Sequence, residues 1–181
     1  MAEKQIISGC QQYKKSSQFE LVKRYSGMLM TVCRRYVKDE SSAKDILQES
    51  LIIILEKIEQ YDGRGSFEGW MRTITVRQSL SWLRKQAAKR ESQLIELNNE
   101  QFVDPTVFEQ LEKEEIIRLI QTLPEGYRTV FNMNIIEGYP HKEIAALLGI
   151  TESASRSQLS RAKTLLRKKL QRINNKNYGV L

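Results

Sequence analysis

Apolar positions recur along this chain at spacings of 3, 4 and 7 almost from end to end, the period of an amphipathic helix. No Asn-Gly or Asp-Gly turn lies between alternating runs, and Asp62-Gly63 sits between two helical patterns, so the pattern predicts an all-α protein. A short helix over Glu3–Gln12 comes first. Ser17-Gln18-Phe19-Glu20 reads as a capping box, opening a helix to about Val37 with Phe19, Val22, Tyr25, Leu29, Val32 and Tyr36 as its inward stripe. After a break at Lys38-Asp39-Glu40, Ser42-Ala43-Lys44-Asp45 is a second capping box. It opens Ala43–Gln60, with Ile46, Leu47, Leu51, Ile54, Leu55 and Ile58 apolar. Tyr61–Ser66 is a loop with two glycines beside Arg64, and Phe67–Lys89 is helical. Periodicity fades over Gln86–Asp104. It resumes behind Asp104 as N-cap and Pro105 at the first helical position, with Val107, Phe108, Leu111, Ile116, Leu119 and Ile120 leading to Thr122. Leu123-Pro124 breaks that helix, Glu125–Ile136 forms the next, and Gly138 ends it.

The stretch from Tyr139 to Leu170 has the most specific layout. Pro140 opens a short helix with Ile144, Ala145, Leu147 and Leu148 apolar, and Gly149 supplies the left-handed conformation that a tight turn needs. Thr151 is a sound N-cap for a long second helix. Ser155, Leu159, Ala162, Leu166 and Leu170 form its inward stripe; Ser157, Ser160, Arg161, Thr164 and Lys168 lie opposite, with Arg156 and Gln158 on the flanks. Short helix, glycine turn and long basic helix is the layout of a helix-turn-helix that enters the DNA major groove.

Charge sharpens this reading. The chain has 181 residues and a net charge of +7, but residues 1–90 carry a balance of +7, residues 91–115 of −7 and residues 116–181 of +7. Two basic blocks joined by an acidic one suit a single polyanion touched twice. The longest apolar run, Leu51–Leu55, is far short of the ~20 residues of a membrane span, and the N-terminus lacks the layout of a signal peptide. A cytoplasmic location without membrane insertion is expected. Cys10, Cys33 and the single His141 offer neither a zinc site nor a disulfide framework, so no metal or other cofactor is expected and both cysteines are expected as buried thiols. Nothing in the motifs supports an enzyme: there is no nucleophile–base pair, metal-spaced acidic cluster or phosphate-binding glycine loop.

Two further faces suggest binding. Asp45, Gln48, Glu49 and Glu56 line one side of their helix, as a docking face for a basic partner would. On Phe67–Lys89, Trp70, Thr73, Arg77, Ser81 and Arg84 share a stripe, a stacking and charge surface for unpaired nucleotides. Trp70 and Trp82 suit the core better than that surface. Arg77 and Arg84, without acidic neighbours one turn away, suit phosphate contact.

With these elements in order, the chain resembles a bacterial sigma-70 family factor of the extracytoplasmic-function (ECF) group. AKDILQESLIIILEKIEQYD resembles the part of sigma region 2 that docks on the clamp helices of core RNA polymerase. SFEGWMRTITVRQSLSWLRKQ resembles the segment that opens the −10 box, and LPEGYRTVFNMNIIEGYPHKEIAALLGITESASRSQLSRAKTLLRKKL resembles region 4, which reads the −35 box. The resemblance implies two small helical domains, a region 2 bundle over 1–88 and a four-helix region 4 domain over 105–175, joined by a flexible linker over 89–104 and followed by a tail over 176–181. Carried over by position, it implies polymerase contact at Asp45, Gln48 and Glu49. For the −10 box it implies Arg64, Ser66, Arg72, Arg77 and Gln78, with Arg84 added from the charge pattern. For the −35 box it implies Arg156, Ser157, Gln158, Ser160 and Arg161, with Lys163, Arg167 and Lys168 on phosphates. Gln78 stands where Asn is frequent and Gln158 where Arg or Lys is common. Ser155 replaces the usual β-branched apolar residue, which is expected to loosen helix packing. The implied partners are core polymerase (clamp helices and flap), promoter DNA and an anti-sigma factor. The alternative is a stand-alone helix-turn-helix regulator with the N-terminal block as a sensing or dimerisation domain.

Overall fold

A computed structural model describes residues 1–92 and 113–178 of the protein, with side chains through 88 and from 114 to 169. The chain divides into two units, Met1–Leu94 and Ile95–Leu181. Among the described residues all regular structure is helical.

In the first unit α1 (Glu3–Gln11) leads through a tight turn into α2 (Lys15–Tyr36). Gly9 makes the close approach of these helices possible, since a Cβ there would fall 1.9 Å from Ser17 Oγ. Ser17 is therefore a buried residue inside the first turn of α2, not its cap, and the helix starts two residues earlier, at Lys15. The inward stripe shifts with it: Leu21, Tyr25, Leu29, Val32, Cys33 and Tyr36 are buried, while Phe19 is 67% exposed. The second capping box is displaced in the same way. Asp39 caps α3 (Glu40–Glu56), its carboxylate accepting from Ser42 N–H at 2.7 Å, and the helix begins at Glu40. A 3₁₀ turn at Ile58–Gln60 closes α3 instead of a continuous helix.

α4 (Phe67–Ser92) runs past Lys89, so the helix takes in the first residues expected as linker. The expected Asp104–Pro105 helix start and the Val107, Phe108 and Leu111 positions lie outside the described residues. Ile6, Leu21, Tyr25, Leu29, Ile54, Ile58, Phe67 and Met71 form one core joining α1, α2, the 3₁₀ turn, α3 and α4. Tyr25 donates to Glu3 Oε2 at 2.8 Å, and burial, then this bond, pushes its phenol up to about 12.

The second unit contains α5 (Lys113–Gln121), α6 (Glu125–Phe131), a π-helical turn at Asn132–Ile136, α7 (His141–Leu148) and α8 (Glu152–Tyr178). Glu125–Ile136 is thus an α-helix ending in a wider turn, where Glu137 N–H reaches Asn132 O at 3.0 Å. Gly138 then takes φ 77°, and Asn134 Nδ2 donates to Tyr139 O at 2.9 Å, aiming the chain into α7. Leu119, Leu123, Ala162 and Leu166 form a core cluster, with Tyr127, Phe131 and Leu165 packed against it. Residues 176–178, expected as tail, continue the α8 backbone.

Candidate nucleic-acid interface

The helix-turn-helix is built as its sequence dictates. Pro140 precedes α7 in extended conformation, and Gly149 ends it at φ 67°, ψ 31°. Ile150 N–H returns to Ala145 O at 3.1 Å, and Ala154 N–H donates to Thr151 Oγ1 at 3.0 Å to start α8. Ser155, Leu159, Ala162 and Leu166 are buried, which turns the opposite side of α8 outward.

The predicted residues divide into three groups. Ser157, Ser160, Arg161 and Lys168 are all exposed on the outer face. Arg161 Nη1 donates to Tyr127 Oη at 3.2 Å, and this bond raises its already high pKa. Tyr127, on α6, was not identified from the sequence: the contact spans 34 positions, and no local period signals it. Arg156 and Lys163 lie on one flank. Arg156 is exposed, and its Nη2 is paired with Glu152 one turn earlier. Lys163 lines a groove of about 460 Å³ together with Arg167, Leu166, Ile116, Leu119, Ile120, Phe131 and Ile136. Gln158 is on the other flank, half-buried, where a Cβ on Gly126 would meet its Oε1 at 3.3 Å. It leans on α6 and does not share the outer face. Ser155 departs from expectation more sharply: its buried Oγ lies 2.9 Å from His141 Nδ1, so it ties α8 to α7 where looser packing was expected.

In the first unit, Arg64 is exposed on a loop shaped by Gly63 (φ 81°) and Gly65 (φ 77°). Asp62 holds it, accepting from Arg64 N–H at 3.0 Å and forming an ion pair with its Nε at 3.3 Å. Tyr61 anchors the loop by donating to Gly65 O at 2.9 Å. Ser66 caps α4, accepting from Gly69 N–H at 3.0 Å, which leaves its own O–H as a donor. Arg77 and Arg84, seven residues apart, are exposed on the same side of α4. Arg72 is half-buried and about 140° round the helix from Arg77 at 100° per residue, so it does not join them. Gln78 is half-buried beside Arg77. Trp70 is half-buried and belongs to an aromatic cluster, with its ring stacked on Phe67 at 5.7 Å and tilted against Tyr61 at 5.5 Å.

On α3, Asp45, Gln48 and Glu49 are exposed together, opposite buried Ala43, Ile46, Ser50 and Ile54. Ile52 was missed. It is 56% exposed and lies 7, 4 and 3 positions after those three residues, an apolar knob among carboxylates. The signal was present in the run Leu51–Leu55: five consecutive apolar residues cannot all face inward from one helix.

The described residues contain no group of His, Cys, Asp and Glu fit to hold a metal, and no helix long and apolar enough to cross a membrane. What they contain is a helical module with an acidic face and a basic helix, and a separate helix-turn-helix unit. This is the construction of a two-part DNA-binding protein.

Comparison with known proteins gives this class its family. Residues 21–89 match the family model for Sigma-70 region 2, and residues 113–166 match that for Sigma-70, region 4. The chain is 24% identical over 183 residues to the ECF RNA polymerase sigma-E factor of Haemophilus influenzae, covering 94% of this chain and 96% of that protein. It is 26% identical over 159 residues to a probable RNA polymerase sigma factor, RfaY, of Xanthomonas campestris, matching 80% of this chain and spanning only 40% of that protein. Among solved structures, the fold resembles the sigma factor RpoE in complex with the anti-sigma factor NepR from Bartonella quintana. The TM-score is 0.56 and the identity 18%, over 87% of this chain and 98% of that one. The chain belongs to the sigma-70 family of RNA polymerase sigma factors, in its ECF group.

Proposed function

We propose that this chain binds core RNA polymerase and directs it to promoters by reading two boxes, acting as a cytoplasmic initiation factor and not as an enzyme. The observation that carries the reading is the exposed outer face of α8, where Ser157, Ser160, Arg161 and Lys168 stand clear of a buried stripe behind a well-formed glycine turn. Arg156 joins them by leaving Glu152 for a guanine edge in the −35 box. Arg161, Lys163, Arg167 and Lys168 add affinity for phosphates that is sequence-blind and falls with salt.

In the first unit, the Arg64–Ser66 loop and Arg77, Gln78 and Arg84 take the unpaired −10 strand. Extruding bases costs a few kcal/mol, so polymerase shares that work. Asp45, Gln48, Glu49 and the added Ile52 form the docking face for a basic partner helix with an apolar contact at its centre. The domain bounds 1–88, 89–104 and 105–175 belong to this reading, as does an anti-sigma partner.

Purified protein added to core enzyme is expected to give transcripts from a limited set of starts. Sequencing those starts defines the boxes, and the absence of any promoter-specific transcript would sink the proposal. A mobility shift with and without core enzyme separates it from a stand-alone regulator, which binds duplex DNA tightly by itself.

A further inference from the structure

The chain's sole histidine and the one buried hydroxyl among the described residues of α8 face each other. Ser155 is fully buried on a stripe that otherwise reads Leu159, Ala162 and Leu166, and its Oγ lies 2.9 Å from Nδ1 of His141, the first residue of α7. Three buried hydroxyls of the first unit behave differently. Ser50, Thr75 and Ser79 each donate to the carbonyl four residues back on their own helix, a bond that says nothing about neighbouring elements. Ser155 instead reaches across to the other helix of the reading unit.

An apolar side chain at this position would pack over a range of helix rotations, because dispersion contacts are not directional. A hydrogen bond tolerates little change in length or angle. The His141–Ser155 bond therefore restricts both the rotation of α8 about its axis and its distance from the start of α7. Arg156 is the next residue. At a side-chain radius of roughly 5 Å, a 20° rotation of the helix displaces a side chain by almost 2 Å, enough to lose a bidentate contact.

We propose that His141 and Ser155 are a positioning pair, touching no base themselves, whose hydrogen bond seats the first turns of α8 and so sets discrimination of the −35 box. This rests on the promoter-reading function proposed above. The test uses the full chain with core polymerase and two duplexes taken from a mapped transcript start, one with its −35 box intact and one with that box scrambled. Ser155→Ala and His141→Ala should each lower the intact-to-scrambled affinity ratio about three- to tenfold, the worth of one net hydrogen bond. The double variant should fall no further than either single one. Ser155→Thr, which keeps the hydroxyl, and His141→Asn, which keeps a polar group near Nδ1, should recover most of the ratio. Because His141 is the only histidine, its ring-nitrogen NMR signals are unambiguous, and Ser155→Ala should shift Nδ1.

An unchanged ratio in both alanine variants overturns the pair. So do additive losses in the double variant, or equal weakening on both duplexes. If the alanine variants fail to fold, the threonine and asparagine variants decide, because a positioning bond requires them to discriminate near the original ratio. Should the unmodified chain give no promoter-specific complex, the proposed function fails with the inference; should it discriminate while every variant does too, the inference alone fails.

Discussion

The two units differ in where their buried serine and threonine hydroxyls and their polar side chains find partners. In the first, Ser50, Thr75 and Ser79 are buried and each donates to its own helix, and the bonds that cross elements, Tyr25 to Glu3 and Gln11 to Ile58 O, accompany an apolar and aromatic core around Phe67. In the second, several polar bonds run between elements. Arg128, buried, donates to Leu123 O at 3.2 Å; Asn134 reaches Tyr139 O; Ser155 meets His141; Arg161 meets Tyr127. Thr129 is the exception, bonding back to Glu125 O. Apolar packing supplies stability that degrades gradually, whereas directional bonds specify geometry at the risk of an unsatisfied group if one partner is lost. A unit that must present one helix to a base edge gains from the second strategy.

The contrast can be broken most forcefully at Phe67. It is 1% exposed and contacts Tyr25, Tyr61 and Trp70, so Phe67→Ala should cost about 3–5 kcal/mol. Thermal melting of the full chain should show the transition of the first unit collapse while that of the second unit, assigned with a fragment beginning in the acidic segment, stays in place. A common loss in both would mean that the units do not fold separately.

Next in size is the exchange between reading and docking. Arg156→Ala should lower discrimination of the −35 box by about 1–3 kcal/mol with core-polymerase affinity unchanged. Asp45→Ala with Glu49→Ala, or Ile52→Asp alone, should do the reverse. Paired measurements of core binding and box preference decide, and equal polymerase affinity in the α3 variants would refute the docking face.

A smaller effect is expected at Gly149. A side chain at φ 67° is strained although nothing lies within 4 Å, so Gly149→Ala should cost about 1–2 kcal/mol and lower the melting point of the second unit only.

The smallest effect at neutral pH concerns the thiols. Burial raises Cys10 and pushes Cys33 up to about 12 from an ordinary 9.0, so neither should react with a thiol reagent at neutral pH until the first unit unfolds. Above pH 9 the unfolded chain releases the Cys33 proton while the folded chain keeps it. Stability should therefore fall between pH 9 and about 12, and Cys33→Ala should remove that part of the slope.

Much was legible in the order of residues because its causes are local. The helical period, the Gly149 turn, the Thr151 cap and the outward set Ser157, Ser160, Arg161 and Lys168 all follow from backbone sterics and a wheel, and the exposed trio on α3 from spacings of 3 and 4. Capping was harder, since Asp39, Ser42 and Ser17 are equally able to cap and only packing chooses among them. Ser17 was drawn inside by the gap that Gly9 leaves, and Phe19 was turned out as Leu21 took the inward place.

Only the tertiary structure decided which polar residues meet across elements. No period links His141 to Ser155, Tyr127 to Arg161, or Gln158 to Gly126; each pair depends on where two helices cross. The chain itself determines which faces exist, because periodicity is a property of neighbours along it. The packing determines what each face holds still, because a hydrogen bond between helices exists only once their axes are placed.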